Sequence, residues 1–382
     1  MVSSMKTILS VFGTRPEAIK MAPVVKKLET SAAFHSIVCI TAQHREMIDQ
    51  VLDLFSIQPD YDLDLMKKNQ SLSEITTRVM TNMCGIIREV KPDLVLVQGD
   101  TTTAFATALS AFYEQIPVGH IEAGLRTNNL YSPYPEEANR QMIGRLAAFH
   151  FAPTETSKSN LLGENIPENR IFVTGNTIID ALFMVKRGLD AYDSDTLKKK
   201  ISSDVMPIID GKKPYILVTC HRRENFGKGL ADICSALKMI SDHRPDINIV
   251  YPVHLNPNVR KTVFDLLKDQ RNVFLIDPLD YLSFVALLDH CYIVLTDSGG
   301  IQEEAPSFGK PVLVMRNTTE RPEAVEVGTV KLVGTSKGNL LDNVFRLLQN
   351  DCLYQKMSKA HNPYGDGRAS EYIVDHLRHC LE

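Results

Sequence analysis

The sequence has no transmembrane run, no disulfide framework and no excess of basic charge, and each absence removes a class of protein. No apolar stretch approaches the roughly 18 residues that cross a bilayer. Met1–Gly13 holds only a short, interrupted apolar stretch, too little for a signal peptide. A soluble cytoplasmic protein is therefore expected. The seven cysteines, Cys39, Cys84, Cys220, Cys234, Cys291, Cys352 and Cys380, are odd in number and include no Cys-x-x-Cys pair. That pattern argues against disulfide scaffolds and zinc knuckles and leaves most thiols as small buried hydrophobes. Lys plus Arg total 42 against 46 Asp plus Glu, a formal charge of −4. A general nucleic-acid or membrane-surface binder would carry a basic excess, so neither partner is expected, although a local cationic pocket for an anion stays open. Gly227-Lys228-Gly229 and Gly365-Asp366-Gly367 lack both the third glycine and the preceding strand of a dinucleotide fingerprint. No P-loop and no Gly-x-Ser-x-Gly elbow occurs, and the histidines are scattered. No nicotinamide cofactor, metal or Ser-His-Asp hydrolase is expected.

What is present is ordinary globular material, 44% apolar and 23% charged over 382 residues, enough for about two and a half domains by length alone. Short apolar runs alternate with Gly-, Pro-, Thr- or Asp-rich loops and helical patterns. In the first half they read as strands over Thr7–Phe12, Ile37–Thr41, Leu94–Gln98, Val118–Ile121 and Arg170–Val173. The second half gives Tyr215–Thr219, Ile247–Tyr251, Val273–Ile276, Tyr292–Thr296 and Pro311–Met315. Near-continuous apolarity followed by helix-length sequence is the mark of buried parallel strands in βα units. An α/β class with two Rossmann-like, doubly wound domains follows, over 1–185 and 212–362. Polar residues 186–211 read as a connecting helix and linker, and 363–382 as a final amphipathic helix packing back toward the first domain. Two such sheets facing one another leave a central cleft at the carboxyl ends of their strands, where ligands bind.

Several loops carry chemistry. Gly13-Thr14-Arg15-Pro16-Glu17 closes the first strand and opens a helix, so free N–H groups and the Arg15 guanidinium suit an anion; a plain turn with a solvated arginine is the alternative. Asp297-Ser298-Gly299-Gly300 repeats the pattern in the second half, with Ser298 able to cap a helix and Glu304 one turn on, placed for ribose hydroxyls. Asp100 and Glu122 each end an apolar strand, and Glu136 opens a helix after Pro133-Tyr134-Pro135. Asp100 as an N-cap and Glu136 as a first-turn charge are structural alternatives, whereas an acid in the position of Glu122 must be paired or functional. Acids at the ends of two strands of one sheet suit proton transfer. His221, Arg222 and Arg223 follow a strand directly, suited to phosphate, and His254 lies on another loop, where a structural role is as reasonable.

These residues resemble a known family. Val11 through Met21, Gln98-Gly99-Asp100-Thr101-Thr102-Thr103, Gly119 through Thr127, His221 through Asn225, Asp297 through Pro306 and Thr318 through Glu323 are similar to the non-hydrolysing UDP-N-acetylglucosamine 2-epimerases, nearly end to end. The resemblance implies a fold like that of the two-domain, B-type glycosyltransferases, a homodimer, and reversible interconversion of UDP-N-acetylglucosamine and UDP-N-acetylmannosamine for polysaccharide synthesis. Asp100, Glu122 and Glu136 then form the acid/base set with His221. Arg15, Lys20, His221, Ser298, Gly299, Gly300, Glu304 and Arg321 match UDP-binding positions. A second, activating UDP-N-acetylglucosamine site is implied at Gln43, His44, Glu136, Arg222 and His254, with Glu46 and Asn69 departing from the pattern. The sugar's C2 proton is not adjacent to a carbonyl, so elimination of UDP to a glycal, followed by re-addition, is the available route. A glycosyltransferase or a hydrolysing epimerase on the same architecture is the rival reading.

Overall fold

The computed structural model describes residues 5–42, 45–65, 70–211 and 213–381, and in it every strand pairing is parallel. The chain divides into two compact units, Met1–Met184 with Tyr364–Glu382, and Val185–Pro363. The first unit holds β1 (Lys6–Phe12), α1 (Arg15–Glu29), β2 (Phe34–Ile40), α2 (Arg45–Phe55), β3 (Tyr61–Asp62), α3 (Leu72–Val90) and β4 (Leu94–Gln98). It continues through α4 (Thr102–Tyr113), β5 (Val118–Ile121), α5 (Glu136–Leu146), β6 (Phe149–Ala152), α6 (Glu155–Gly163) and β7 (Ile171–Val173). Helix α7 (Thr177–Ala191) runs across the division.

The second unit begins with α8 (Ser194–Lys200) and α9 (Met206–Ile209), followed by β8 (Tyr215–Thr219), α10 (Lys228–His243), β9 (Asn248–Pro252), α11 (Pro257–Leu267) and β10 (Val273–Ile276). Then come α12 (Tyr281–His290), β11 (Ile293–Thr296), α13 (Ile301–Ser307), β12 (Val312–Val314), α14 (Pro322–Glu326), β13 (Val330–Leu332), α15 (Lys337–Gln349) and α16 (Asp351–Ser358). Helix α17 (Ala369–Leu381) returns to the first unit. Its start is fixed by the buried Asp180 of α7, which accepts from Ala369 N at 3.1 Å, Ser370 N at 2.7 Å and Ser370 Oγ at 2.6 Å. Three donors on one carboxylate satisfy the open N–H groups of a helix start.

The strands run β3-β2-β1-β4-β5-β6-β7 in one sheet and β10-β9-β8-β11-β12-β13 in the other. Each chain path therefore reverses across its sheet, between β1 and β4 and between β8 and β11. Connections leave in opposite directions at such a point and open a crevice at the carboxyl ends. All five residues of both β4 and β8 are buried, as strands covered on two faces must be. Leu9, Val11, Val95 and Val97 pack with Met83, Ile87 and Ala104 in the first core; Ile216, Val218 and Leu295 pack with Ile233, Leu237 and Tyr251 in the second.

Three strands were not legible as runs. β6 contains His150, fully buried and with its proton affinity lowered by desolvation to a pKa of about 4. β3 is two residues long, and β13 buries only Val330. Both are sheet edges, where short, half-exposed strands give little apolar signal. Cys39, Cys220, Cys234 and Cys291 are buried free thiols. No helix among the described residues is long and apolar enough to cross a membrane.

Candidate active site

In the first unit the polar ends of β1, β4 and β5 converge. Gly13 follows β1, where a Cβ would lie 2.1 Å from Thr41 Oγ1 and 2.7 Å from Thr103 Oγ1, so only glycine fits. Thr14 caps α1, with Glu17 completing the capping box. Arg15 is thus the first helical residue and Pro16 the second, one position later than Pro16's suitability for a helix start suggests, and Lys20 lies one turn into the helix. Glu17 does more than cap. Buried at 1% exposure, it accepts from Gly13 N at 3.1 Å, Thr14 N at 2.7 Å and Thr101 Oγ1 at 2.6 Å, joining the β1 and β4 turns. Burial raises its pKa against the pull of those donors.

Asp100 follows β4 and is not the N-cap of α4; Thr101 is, accepting from Ala104 N at 3.0 Å. The Asp100 carboxylate instead accepts from Arg140 Nη2 of α5 at 2.5 Å, and Asn139 Nδ2 donates to its backbone oxygen at 2.9 Å. Burial raises the Asp100 pKa, Arg140 opposes this, Glu122 adds to it and Lys20 opposes it. These four side chains form one electrostatic cluster. Glu122 sits past β5 at φ 64°, a left-handed conformation unusual outside glycine. Its side chain is 8% exposed and accepts from Lys20 Nζ and, at 3.1 Å, from Asn176 Nδ2 in the turn after β7.

Glu136 opens α5, and its Oε2 is buried with no hydrogen-bond partner among the described residues. It stands four residues before Arg140, on the same helical face. A buried acceptor left unmatched costs on the order of 1–3 kcal/mol. The neighbouring Glu137 has the opposite character. Fully buried, it accepts from Thr127 N at 3.0 Å, Asn128 N at 3.1 Å and Gln141 Nε2 at 2.8 Å and pairs with Arg140 at 3.3 Å.

The second unit gathers its candidates around β8 and β11. Asp297 is fully buried beneath the loop that carries His221 and Arg222. His221 stacks on His254 with centroids 5.7 Å apart and planes at 17°, and its Nδ1 lies 3.6 Å from Asp297 Oδ1. Burial lowers the His221 pKa, Asp297 opposes this, and His254 and Arg222 add to the lowering. Ser298 does not cap the following helix: Gly300 is the N-cap, Ser298 N donates to Thr296 Oγ1 at 2.9 Å, and Ser298 O accepts from Gln302 Nε2 at 3.0 Å. Its hydroxyl is therefore not spent on α13.

Gly300 has φ −62° and a Cβ there would meet nothing nearer than 3.9 Å, so the fold itself does not demand glycine and leaves room for a ligand. The Arg321 guanidinium covers Gly299, Nη1 lying 3.1 Å from where a Cβ would stand, and its Nε donates to Glu303 at 2.8 Å. Glu304 accepts from Tyr281 Oη at 2.8 Å. Arg222 and Arg316 share Glu320, at 4.0 and 2.9 Å. Gln43 and His44 lie outside the described residues, as does Asn69; Glu46 is exposed on α2. Among the described residues, no group of three His, Cys, Asp or Glu side chains comes together as a metal cage.

Sequence reasoning missed Glu17, Arg140, Asn176 and the role of Asp297. Arg140 had a local signal in its four-residue spacing from Glu136, and Glu17 in its capping-box spacing from Thr14.

Comparison with known proteins identifies the family. A family model described as UDP-N-acetylglucosamine 2-epimerase matches residues 26–378. The UDP-N-acetylglucosamine 2-epimerase of Escherichia coli strain K12 is 59% identical over 371 residues, spanning 97% of this chain and 98% of that protein. The crystal structure of UDP-GlcNAc 2-epimerase from Neisseria meningitidis bound to UDP-GlcNAc superposes with a TM-score of 0.89 at 55% identity, over 97% of this chain and 99% of that one. The Methanocaldococcus jannaschii enzyme in complex with UDP-GlcNAc and UDP gives 0.79 at 33% identity, over 98% and 99%. With the family model spanning most of its length and relatives matching end to end, the chain belongs to the UDP-N-acetylglucosamine 2-epimerase family.

Proposed function

We propose that the protein interconverts UDP-N-acetylglucosamine and UDP-N-acetylmannosamine without net hydrolysis. A carboxylate removes the C2 proton as the C1–O bond to UDP breaks, and the C–H electron pair becomes the C1–C2 double bond of a 2-acetamidoglucal. Protonation of C2 on the opposite face, with return of the UDP oxygen to C1, gives the epimer; atoms balance and no redox cofactor or metal enters the route. The observation that carries the reading is the Asp100–Glu122 pair at the ends of adjacent strands, each acid held by its own cation, Arg140 or Lys20. Two faces of one carbon need two proton-transfer groups. Glu136 supplies a third carboxylate, with an acceptor oxygen unmatched.

Retention of UDP falls in this reading to Arg15, Lys20, His221, Ser298, Gly299, Gly300, Glu304 and Arg321. Cations and free N–H groups stabilise the leaving pyrophosphate most as its charge develops. A cytoplasmic homodimer feeding polysaccharide synthesis, with a second UDP-N-acetylglucosamine as activator near Arg222 and His254, extends the proposal and rests on the family resemblance.

Incubation of UDP-N-acetylglucosamine in deuterated water with no acceptor tests it. Deuterium is expected at C2 of both sugar nucleotides with little free UDP. Absence of exchange would favour a transferase, and steady release of free N-acetylmannosamine would favour a hydrolysing enzyme.

A further inference from the structure

Asp297 opens the Asp297–Gly300 turn and is fully buried. It takes donors from the neighbouring loop almost to capacity. His221 N–H lies 3.1 and 3.0 Å from its two oxygens, and Arg222 N–H and Asn225 Nδ2 each lie 2.9 Å from Oδ2. The Cys220 thiol adds a fourth group at 3.2 Å, and the Asp297 backbone N–H returns a bond to Thr219 O at 3.1 Å. One carboxylate thus fastens the turn after β8 to the turn after β11, at the point where the strand order reverses. Charge-assisted bonds of this kind are about twice as strong as neutral ones and hold their geometry.

The imidazole of His221 stands over this carboxylate. Three groups face it: Asp297 from the β11 turn at 3.6 Å, His254 from the loop after β9, and Arg222 from its own loop. Only Asp297 favours a positive ring; the other two disfavour it, as does burial.

We propose that Asp297 is a positioning residue, whose carboxylate fixes the His221 loop and supplies the counter-charge for a His221 imidazolium facing the departing pyrophosphate. This rests on the reading of His221 as a nucleotide-facing group. It gives Asp297 the part that an acid plays behind a histidine in many active sites, orienting the ring and favouring its charged form.

The test follows the His221 ring proton by NMR across pH in the full-length protein, assigned by its loss in His221→Asn. Asp297→Asn is expected to move the His221 titration down by about one pH unit. Its kcat should fall about 10- to 100-fold, with the alkaline limb of the pH profile moving the same way. Asp297→Glu, which restores the charge, should recover part of both. Asn225→Ala removes a donor and leaves the charge, so it should lower kcat about threefold to tenfold with the titration unmoved. An unshifted His221 titration in folded Asp297→Asn would overturn the proposal. If that variant does not fold, wild-type kcat in Asn225→Ala would overturn it instead. Wild-type turnover in His221→Asn would overturn the reading of the site beneath it, an outcome separate from either.

Discussion

At the strand ends of the first unit, two acids pair with cations, Asp100 with Arg140 and Glu122 with Lys20, and a third acid, Glu136, keeps one oxygen unmatched among the described residues. The second unit uses its acids differently. Asp297 and Glu303 are buried and Glu320 is half-buried, and they hold backbone N–H groups, Arg321 and Arg316 in place. Sparingly partnered acids can take and return a proton, whereas saturated acids hold donors still. The two sheets share a strand order over six strands, so in the proposed mechanism this difference in partnering, rather than fold, separates proton transfer from anion binding. They also share a brace. Glu17 spans the β1 and β4 turns as Asp297 spans the β8 and β11 turns, each a buried carboxylate at the reversal of strand order.

The comparison breaks most sharply if neutralising Glu304, an acid placed to bind the nucleotide, has the same kinetic effect as neutralising Asp100 or Glu122. Asp100→Asn or Glu122→Gln should lower kcat about 10²- to 10⁴-fold, the range for losing an acid/base group. Glu304→Gln in the second unit should instead raise KM for the sugar nucleotide about tenfold and leave kcat within about threefold, the sign of lost uniform binding. Following both sugar nucleotides by NMR separates the two patterns; a kcat collapse in Glu304→Gln would erase the division.

A smaller effect sharpens the role of the paired cation. Lys20→Met removes the ammonium beside Glu122 and keeps the Asn176 Nδ2 donor at 3.1 Å. Loss of an adjacent positive charge disfavours the carboxylate form, so the acid limb of kcat should move up by about one to two pH units. Turnover on the acid side of the profile then falls and recovers as pH rises. A parallel loss at every pH would mean that Lys20 binds substrate without tuning the acid.

How much of this was legible follows from what sequence patterns encode. Asp100 and Glu122 stood out because each interrupts an apolar strand at its carboxyl end, and the Gly13 and Gly299-Gly300 turns because glycine after a strand is distinctive. Periodicity reports burial and does not report partners. Arg140 reaches Asp100 over 40 positions, Asn176 reaches Glu122 over 54, and Thr101 reaches Glu17 over 84. Such pairs exist only once the parallel sheet has brought its turns together. For the same reason Asp297 read as the first residue of a Gly-rich turn, when its partners lie on a loop 72 to 77 positions earlier.

The smallest expected effect concerns the two braces and is thermodynamic. Burial raises the Glu17 pKa in the folded protein, so the native state holds that proton more tightly than the unfolded chain does. Stability therefore falls as pH rises from the usual carboxylate value of 4.5 through the folded value, the reverse of the behaviour of a salt-bridged acid. Glu17→Gln cannot ionise. Its amide oxygen can still accept from Gly13 and Thr14, and its amide nitrogen can donate to Thr101 Oγ1, so all three contacts keep a partner. Near pH 4.5 the variant should match the wild type, and by pH 8 it should gain about 1–2 °C in relative Tm, read by calorimetry. Turnover should change little, because the brace holds both turns in either form. A large kcat loss in Glu17→Gln would place the negative charge of Glu17 itself in the chemistry, and the first unit would then use its buried acid as the second uses Asp297, through the charge it presents to a neighbouring functional group.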